Sequence, residues 1–220
     1  MRAGEDDFMR ALSVLVHDLR APLSVAGGYL RLIKEERLTS IEDRDRALTG
    51  AIEAIRRMSR LCEEASDFGS AHDARDVPTV LVAAGDLAAR VARILNGEGT
   101  RLELRPIGNA GYVRVTQADR VASAVANILR SSLQQLVQDN PIGLDVLADD
   151  QGLRFLVGTA PQRHALTHNE VVPFDPWRSG HGLQLATACC DLQRVAGRVW
   201  TTVNAPSAIG VRLPLEARPS

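Results

Sequence analysis

A run of apolar residues near the start of the chain constrains its fold more than any other feature. Phe8, Leu12, Leu15, Leu19, Pro22, Ala26, Tyr29 and Ile33 follow one another at spacings of 4, 3, 4, 3, 4, 3 and 4. A heptad stripe of this kind keeps to one face of a helix and asks for a partner helix to cover it. A strand, whose side chains alternate from face to face, cannot present it. Pro22 lies inside the stripe. It has no amide to donate and its ring crowds the preceding turn, so a bend is expected there. The pattern stops near Arg37, and Leu38-Thr39 reads as a short connection. Ser40 followed by Asp43 resembles a capping box, with the acid favoured by the helix dipole. A second helix then runs to about Ser66 on the stripe Ala51, Ile55, Met58, Cys62 and Ala65. Residues 1–68 therefore read as an antiparallel helical hairpin. Two helices cannot enclose a core. The simplest completion is a second copy, giving a homodimer with a symmetric four-helix bundle.

The rest of the chain has a different texture. Residues 69–80 (GSAHDARDVPTV) are polar and carry Gly69 and Pro78, which reads as a linker. Residues 81–216 form a second domain in which periods mix. Helices are expected over 85–95, from Thr116 and Asp119 to about Val137, and over 182–196 up to Gly197. Strands are expected near 101–105, 142–148, 153–158, 198–204 and 208–214, with a Pro-rich irregular stretch over 159–180. The fold class is thus a helical hairpin followed by an α/β sandwich, with helices on one face of a mixed sheet. With 45% hydrophobic and 24% charged residues, the chain has the material for a core.

Charge and composition narrow the partners. A formal net charge of −1 provides no field for nucleic acid and no polybasic membrane patch. At 4% aromatic content there is no stacking platform for single strands. No apolar run approaches the ~20 residues that span a bilayer, so no membrane insertion is expected. The opening MRAGEDDFMR lacks the regions of a signal peptide. Cys62, Cys189 and Cys190 fit neither a disulfide framework nor a metal spacing, and a reducing cytoplasm is the expected location.

His17 is the most informative single residue. It lies two positions from Leu15 and two from Leu19, roughly 200° around the helix from the stripe. Arg10, His17 and Ser24, seven residues apart, share that outer face. A solvated imidazole is nucleophilic at one ring nitrogen, and the adjacent Asp18 could accept the proton of the other. Arg10 and Arg20 flank His17 and could steer an acidic partner. Other signals carry less. Asp67-Phe68-Gly69 lacks the companions of a kinase motif. His164 and His168 are placed in a loop without a third metal ligand. Cys189-Cys190 and Trp177 read as core, and His181 as a cap of the last helix.

The stretch His17-Asp18-Leu19-Arg20-Ala21-Pro22-Leu23 closely resembles the H-box of two-component sensor histidine kinases, whose usual order is His, an acid, Leu, Arg, Thr, Pro, Leu. In that family the histidine is phosphorylated and passes its phosphoryl group to an aspartate of a response regulator. The resemblance extends over about residues 5–216. Asp119-Arg120-Val121 and Ala126-Asn127-Ile128-Leu129-Arg130-Ser131-Ser132 resemble the N-box helix of the family's ATP-binding domain. Gly180-His181-Gly182-Leu183-Gln184-Leu185-Ala186 resembles its last glycine motif, Pro173-Phe174-Asp175-Pro176-Trp177 its phenylalanine segment, and Val211-Arg212-Leu213-Pro214-Leu215 its terminal strand.

The departures are informative. Ala21 stands where the family has Thr or Asn, the side chain that positions water for dephosphorylating the regulator. Ser131 replaces the asparagine that holds Mg²⁺, a poorer ligand for an ion that demands near-ideal octahedral geometry. Gly158-Thr159-Ala160-Pro161 lacks the carboxylate that receives the adenine amino group. Gln184 replaces a glycine that lets backbone approach phosphate. Asn127, Gly180 and Gly182 remain as vestiges, and the resemblance is then to bacterial histidine phosphotransferases built like degenerate kinases. It implies a homodimer that carries a phosphoryl group on His17, tuned by Asp18, between response-regulator receiver domains docked near Arg10, Arg20 and Ser24, with no cofactor and no metal. Two alternatives stay open: an ATP-dependent histidine kinase with a divergent nucleotide site, and a non-catalytic pseudokinase that acts as a binding module.

Overall fold

A computed structural model describes residues 2–73, 78–96, 111–135, 142–168, 171–177 and 182–217. The chain divides into two compact units, which part at Ser70.

The first unit is the helical hairpin. Helix α1 spans Arg2–Lys34 and α2 spans Ile41–Asp73, each 33 residues long. α1 continues through Pro22. Between them Glu36 takes a left-handed φ of 51°, and the capping box forms as expected. Ser40 Oγ accepts the Asp43 amide at 3.0 Å and donates to the Asp43 carboxylate at 2.7 Å. α2 ends beyond Ser66 and takes up the first part of the segment read as a linker, Gly69 included.

The buried stripe differs in detail from the expected one. On α2, Ala47, Ala51 and Ala54 are buried and Met58, Leu61 and Ala65 half-buried, whereas Ile55 and Cys62 face outward. On α1, Ala11, Pro22 and Ala26 are buried, and Phe8 and Leu12 are exposed. A second apolar stripe is left uncovered: Met9, Leu12, Val16, Leu23 and Leu30 on α1, and Ile41, Leu48, Ile52 and Ile55 on α2. Each helix thus carries two apolar faces, one more than a hairpin can bury.

The second unit runs β1 (Val80–Ala83), α3 (Ala84–Asn96), β2 (Tyr112–Val115), α4 (Ala118–Gln135), β3 (Gly143–Asp149), β4 (Gly152–Gly158), α5 (Ala160–His168), β5 (Val171–Pro173), α6 (Leu183–Arg194), β6 (Arg198–Thr202) and β7 (Ala205–Leu213). β1 and β2 form an antiparallel pair; the other strands make a sheet in the order β3-β4-β7-β6-β5. Every pairing in that sheet is antiparallel, where a mixed sheet was expected. The turns after Asp149 and Thr202 make β3–β4 and β6–β7 hairpins, and hairpins join antiparallel strands. The expected strand over 101–105 lies outside the described residues. β1 and β2 were not foreseen, each being only four residues long.

The sheet's two faces are distinct. Leu153, Phe155 and Val157 of β4 and Ile209, Val211 and Leu213 of β7 join Leu87 and Val91 of α3, Val125, Ile128 and Leu129 of α4, and Leu185 and Leu192 of α6 in one core. Each such side chain contributes roughly 1.5–3 kcal/mol when fully buried. The other face carries a row that crosses three strands, Leu156–Gly210–Trp200. Here the expected irregular stretch proves helical: α5 places Leu166 against Leu156, Ala208 and Trp200. Trp200 Nε1 donates to the Leu166 carbonyl at 3.1 Å, and Arg163 Nε to Asp145 Oδ2 at 2.7 Å. Helices therefore cover both faces, three on one and a short one on the other. No helix among the described residues is long and apolar enough to cross a membrane.

Candidate functional site

His17 stands in the middle of α1 with its side chain 84% exposed. Its Nδ1 lies 3.0 Å from Asp18 Oδ1. With the proton on Nδ1, the imidazole donates to the carboxylate and keeps the Nε2 lone pair toward solvent. An aspartate so placed fixes one tautomer and compensates positive charge that develops on the ring. Arg10, Ser24 and Arg20 are all exposed, and Arg10 and Ser24 share the histidine's face by their seven-residue spacing. Ala21, one turn beyond His17, is exposed as well and has no polar atom to offer.

Beside this face the hairpin forms a groove of about 550 Å³. Ala21, Pro22, Val25 and Tyr29 line it from α1; Gly50, Glu53, Ala54, Arg56, Arg57 and Arg60 line it from α2. The Tyr29 ring lies where a side chain at position 50 would stand, so a glycine there gives the ring its seat. The arginines of α2 were missed in the sequence, because nothing in their spacing alone ties them to a histidine some forty positions away.

In the second unit the residues that resemble a nucleotide site are engaged within the chain. Asn127 Oδ1 accepts Arg130 Nη1 at 2.7 Å. Ser131 is 2% exposed, and its hydroxyl donates to the Ile128 carbonyl at 2.7 Å. The carbonyl of Gly158 accepts Arg163 Nη1 at 2.6 Å, and the Thr159 amide donates to Gln162 Oε1 at 2.9 Å. Between Gly158 and Pro161 there is no carboxylate. Asn127 Oδ1 and the buried Ser131 hydroxyl are thus both engaged by groups of their own helix. Among the described residues no three His, Cys, Asp or Glu side chains gather as a metal site. Gly182 has a φ of 62° at the start of α6. Gly180 and His181 lie outside the described residues.

The remaining candidates are separate from these features. His164 and His168 fall on α5 rather than in a loop, which puts their backbones one turn apart. Trp177, Cys189 and Cys190 are half-buried, and Cys189 packs against the main core.

Comparison with known proteins gives this geometry a context. Residues 9–73, which include His17, match the His Kinase A (phospho-acceptor) domain. No curated protein matches the chain as a relative. Among solved structures, the Acinetobacter baumannii histidine kinase AdeS is similar over 91% of this chain and 98% of its own, at 13% identity and a TM-score of 0.56. The histidine kinase ThkA, solved in complex with the response regulator protein TrrA, is similar over 98% of this chain and 66% of its own, at 14% identity and a TM-score of 0.60. Full-length ShkA, solved in complex with AMPPNP, is similar over 95% of this chain and 46% of its own, at 18% identity and a TM-score of 0.54. At such identities the likeness is one of fold.

Proposed function

We propose that this chain, which matches the His Kinase A (phospho-acceptor) domain over residues 9–73 and is similar in fold to histidine kinases, is a histidine phosphotransferase of a phosphorelay. It works as a homodimer, in the cytoplasm, and carries a phosphoryl group on His17 between receiver domains of response regulators without binding ATP. The observation that carries this reading is the exposed His17 on the phospho-acceptor helix, with Asp18 at its Nδ1 and Nε2 open to a large partner. Docking of a regulator on the similar fold of ThkA supports the choice of partner. The internal engagement of Asn127 and Ser131 supports independence from ATP.

The step is an in-line displacement. Nε2 attacks the phosphorus of a phospho-aspartyl receiver; the N–P bond forms as the P–O bond to the aspartate breaks, and the carboxylate leaves with the electron pair. The ring becomes an N-phosphoryl imidazolium, its Nδ1 proton held toward Asp18. Transfer to a second receiver reverses these events. The chain contributes position: a rigid helix and a docking face that turn an encounter into an aligned reaction.

The test compares wild type with His17→Ala. Incubation with Mg²⁺ and γ-labelled ATP is expected to label neither protein. A receiver domain pre-phosphorylated with acetyl phosphate is expected to leave acid-labile label on wild type alone, with helix content and oligomeric state unchanged by the substitution. Label from ATP on wild type would establish the kinase alternative. No transfer from any receiver domain of the same genome would leave the binding module.

A further inference from the structure

We propose that the outer face of the second unit's sheet binds a small organic molecule carrying two or more phosphate groups, on a row formed by Arg154, Arg212 and Arg198. The inference is independent of the phosphotransfer reading.

Arg212 of β7 is the register partner of Arg154 on β4 and of Arg198 on β6. Their neighbours Leu153, Phe155, Val211 and Leu213 belong to the main core, so alternation puts all three arginines on the opposite face. Directly paired positions lie about 4.5–5.5 Å apart between Cα atoms, and like charges there disfavour the sheet. The chain itself relieves little of this repulsion. Arg154 pairs with Asp149, but among the described residues Arg198 and Arg212 have no ion-pair or hydrogen-bond partner. Positive charge is thus left in excess along a line of about 10 Å across three strands. The Nε atoms of Arg154 and Arg212 are buried without an acceptor among the described residues. A buried donor left unmade is costly. Here the packing around Nε holds the guanidinium planes and leaves the terminal amino groups as the donors toward solvent. Such forks match phosphate oxygens, and a single phosphate cannot serve the whole row. The row ends at Leu147, the partner of Arg154 on β3, which is 37% exposed and offers an apolar seat for the rest of the ligand. The adjacent row, Asp145–Leu156–Gly210–Trp200, is the one that holds α5, so the arginines lie at the foot of that helix. A ledge beside a helix admits a small molecule and hinders the flat surface of a protein. Asn127 and Ser131, which resemble a nucleotide site, stand on α4 across the sheet, so this is a separate place.

The experiment titrates the full chain with sodium tripolyphosphate and with sodium orthophosphate by calorimetry, without Mg²⁺ and at matched ionic strength. Tripolyphosphate is expected to bind at least about tenfold more tightly than orthophosphate, and to raise the Tm beyond the effect of NaCl at the same ionic strength. Arg212→Gln and Arg198→Gln should each weaken tripolyphosphate about fivefold or more, whereas Arg90→Gln, on α3, should not. Without ligand, Arg212→Gln is expected to keep or raise the Tm, because it removes two like-charge pairs. Arg198 is exposed, so Arg198→Gln carries the test even if the fold does not accept the change at 212. Affinity within about twofold of wild type in Arg198→Gln, or an equal loss in Arg90→Gln, overturns the proposal. So does a hexaglutamate peptide that binds more tightly than tripolyphosphate, which would make the row a seat for acidic protein segments.

Discussion

In the proposed transfer, His17 is assisted by one hydrogen bond to its neighbour in sequence. The 3.0 Å contact to Asp18 Oδ1 is solvent-exposed, so its strength is that of a surface pair. Asp18→Asn is accordingly expected to slow transfer from a phosphorylated receiver by about fivefold, a partial loss, where His17→Ala removes the reaction altogether. A single-turnover time course separates the two. This pair was legible in the sequence because the stripe fixes which way His17 faces and adjacency fixes its partner. Cys189 is the opposite case. Burial, with the neighbouring Cys190 and Asp175 adding to it, pushes its thiol up to about 12. The protonated form is the one that the fold favours, so its stabilising effect is whole below the ordinary value of 9.0 and is lost as pH rises from there toward about 12. Iodoacetamide at pH 8 is expected to modify exposed Cys62 and to spare Cys189 until the protein is unfolded, as mass spectrometry of the digested product would show.

Single elements reveal where local pattern suffices and where it does not. The capping box at Ser40 and the apolar stripe of α1 are local signals, and both elements form where the sequence places them. α5 is different. Its residues, APQRHALTH, bury only Leu166 among those described, and Pro161 in its first turn reads equally well as a loop. The helix is held from outside, by the hydrogen bond from Trp200 and the arm of Arg163. A glycine makes this possible. Gly210 pairs across the strands with Trp200, and a Cβ at that position would fall within the indole ring. The ring, fixed by its bond to the Leu166 carbonyl, cannot retreat without releasing α5. Gly210→Ala is therefore expected to destabilise the second unit by about 1–3 kcal/mol, seen as a lower Tm in thermal unfolding. The same logic explains the shifted stripe of α2: heptad spacing permits either Ile55 or Ala54 at the seam, and the smaller side chain allows the closer approach of two backbones.

For the whole molecule, the uncovered second stripe of the hairpin is the determining feature. Leu23 is 61% exposed and Ile52 48% exposed, on helices whose other apolar face is already in use. In the proposed homodimer a second copy would present the same stripes under two-fold symmetry and complete the bundle. Leu23→Asp together with Ile52→Asp is expected to yield monomers in sedimentation velocity, while the second unit, with its own core, keeps its fold. Transfer to His17 should fall as well if receivers dock across both protomers' helices.

Local order along the chain determined much of this. The heptad stripe, the cap at Ser40, the outward histidine with its acid and the break into a second domain are readable in sequence, since each depends on residues within a turn or two of one another. Tertiary structure decided what depends on distant partners. It set which of two adjacent positions on α2 is buried, made the sheet antiparallel, and laid α5 over the outer face through a tryptophan 34 residues away. It also brought three arginines of α2 beside the helix that carries His17. Spacing tells which face a residue is on; only packing tells what stands across from it.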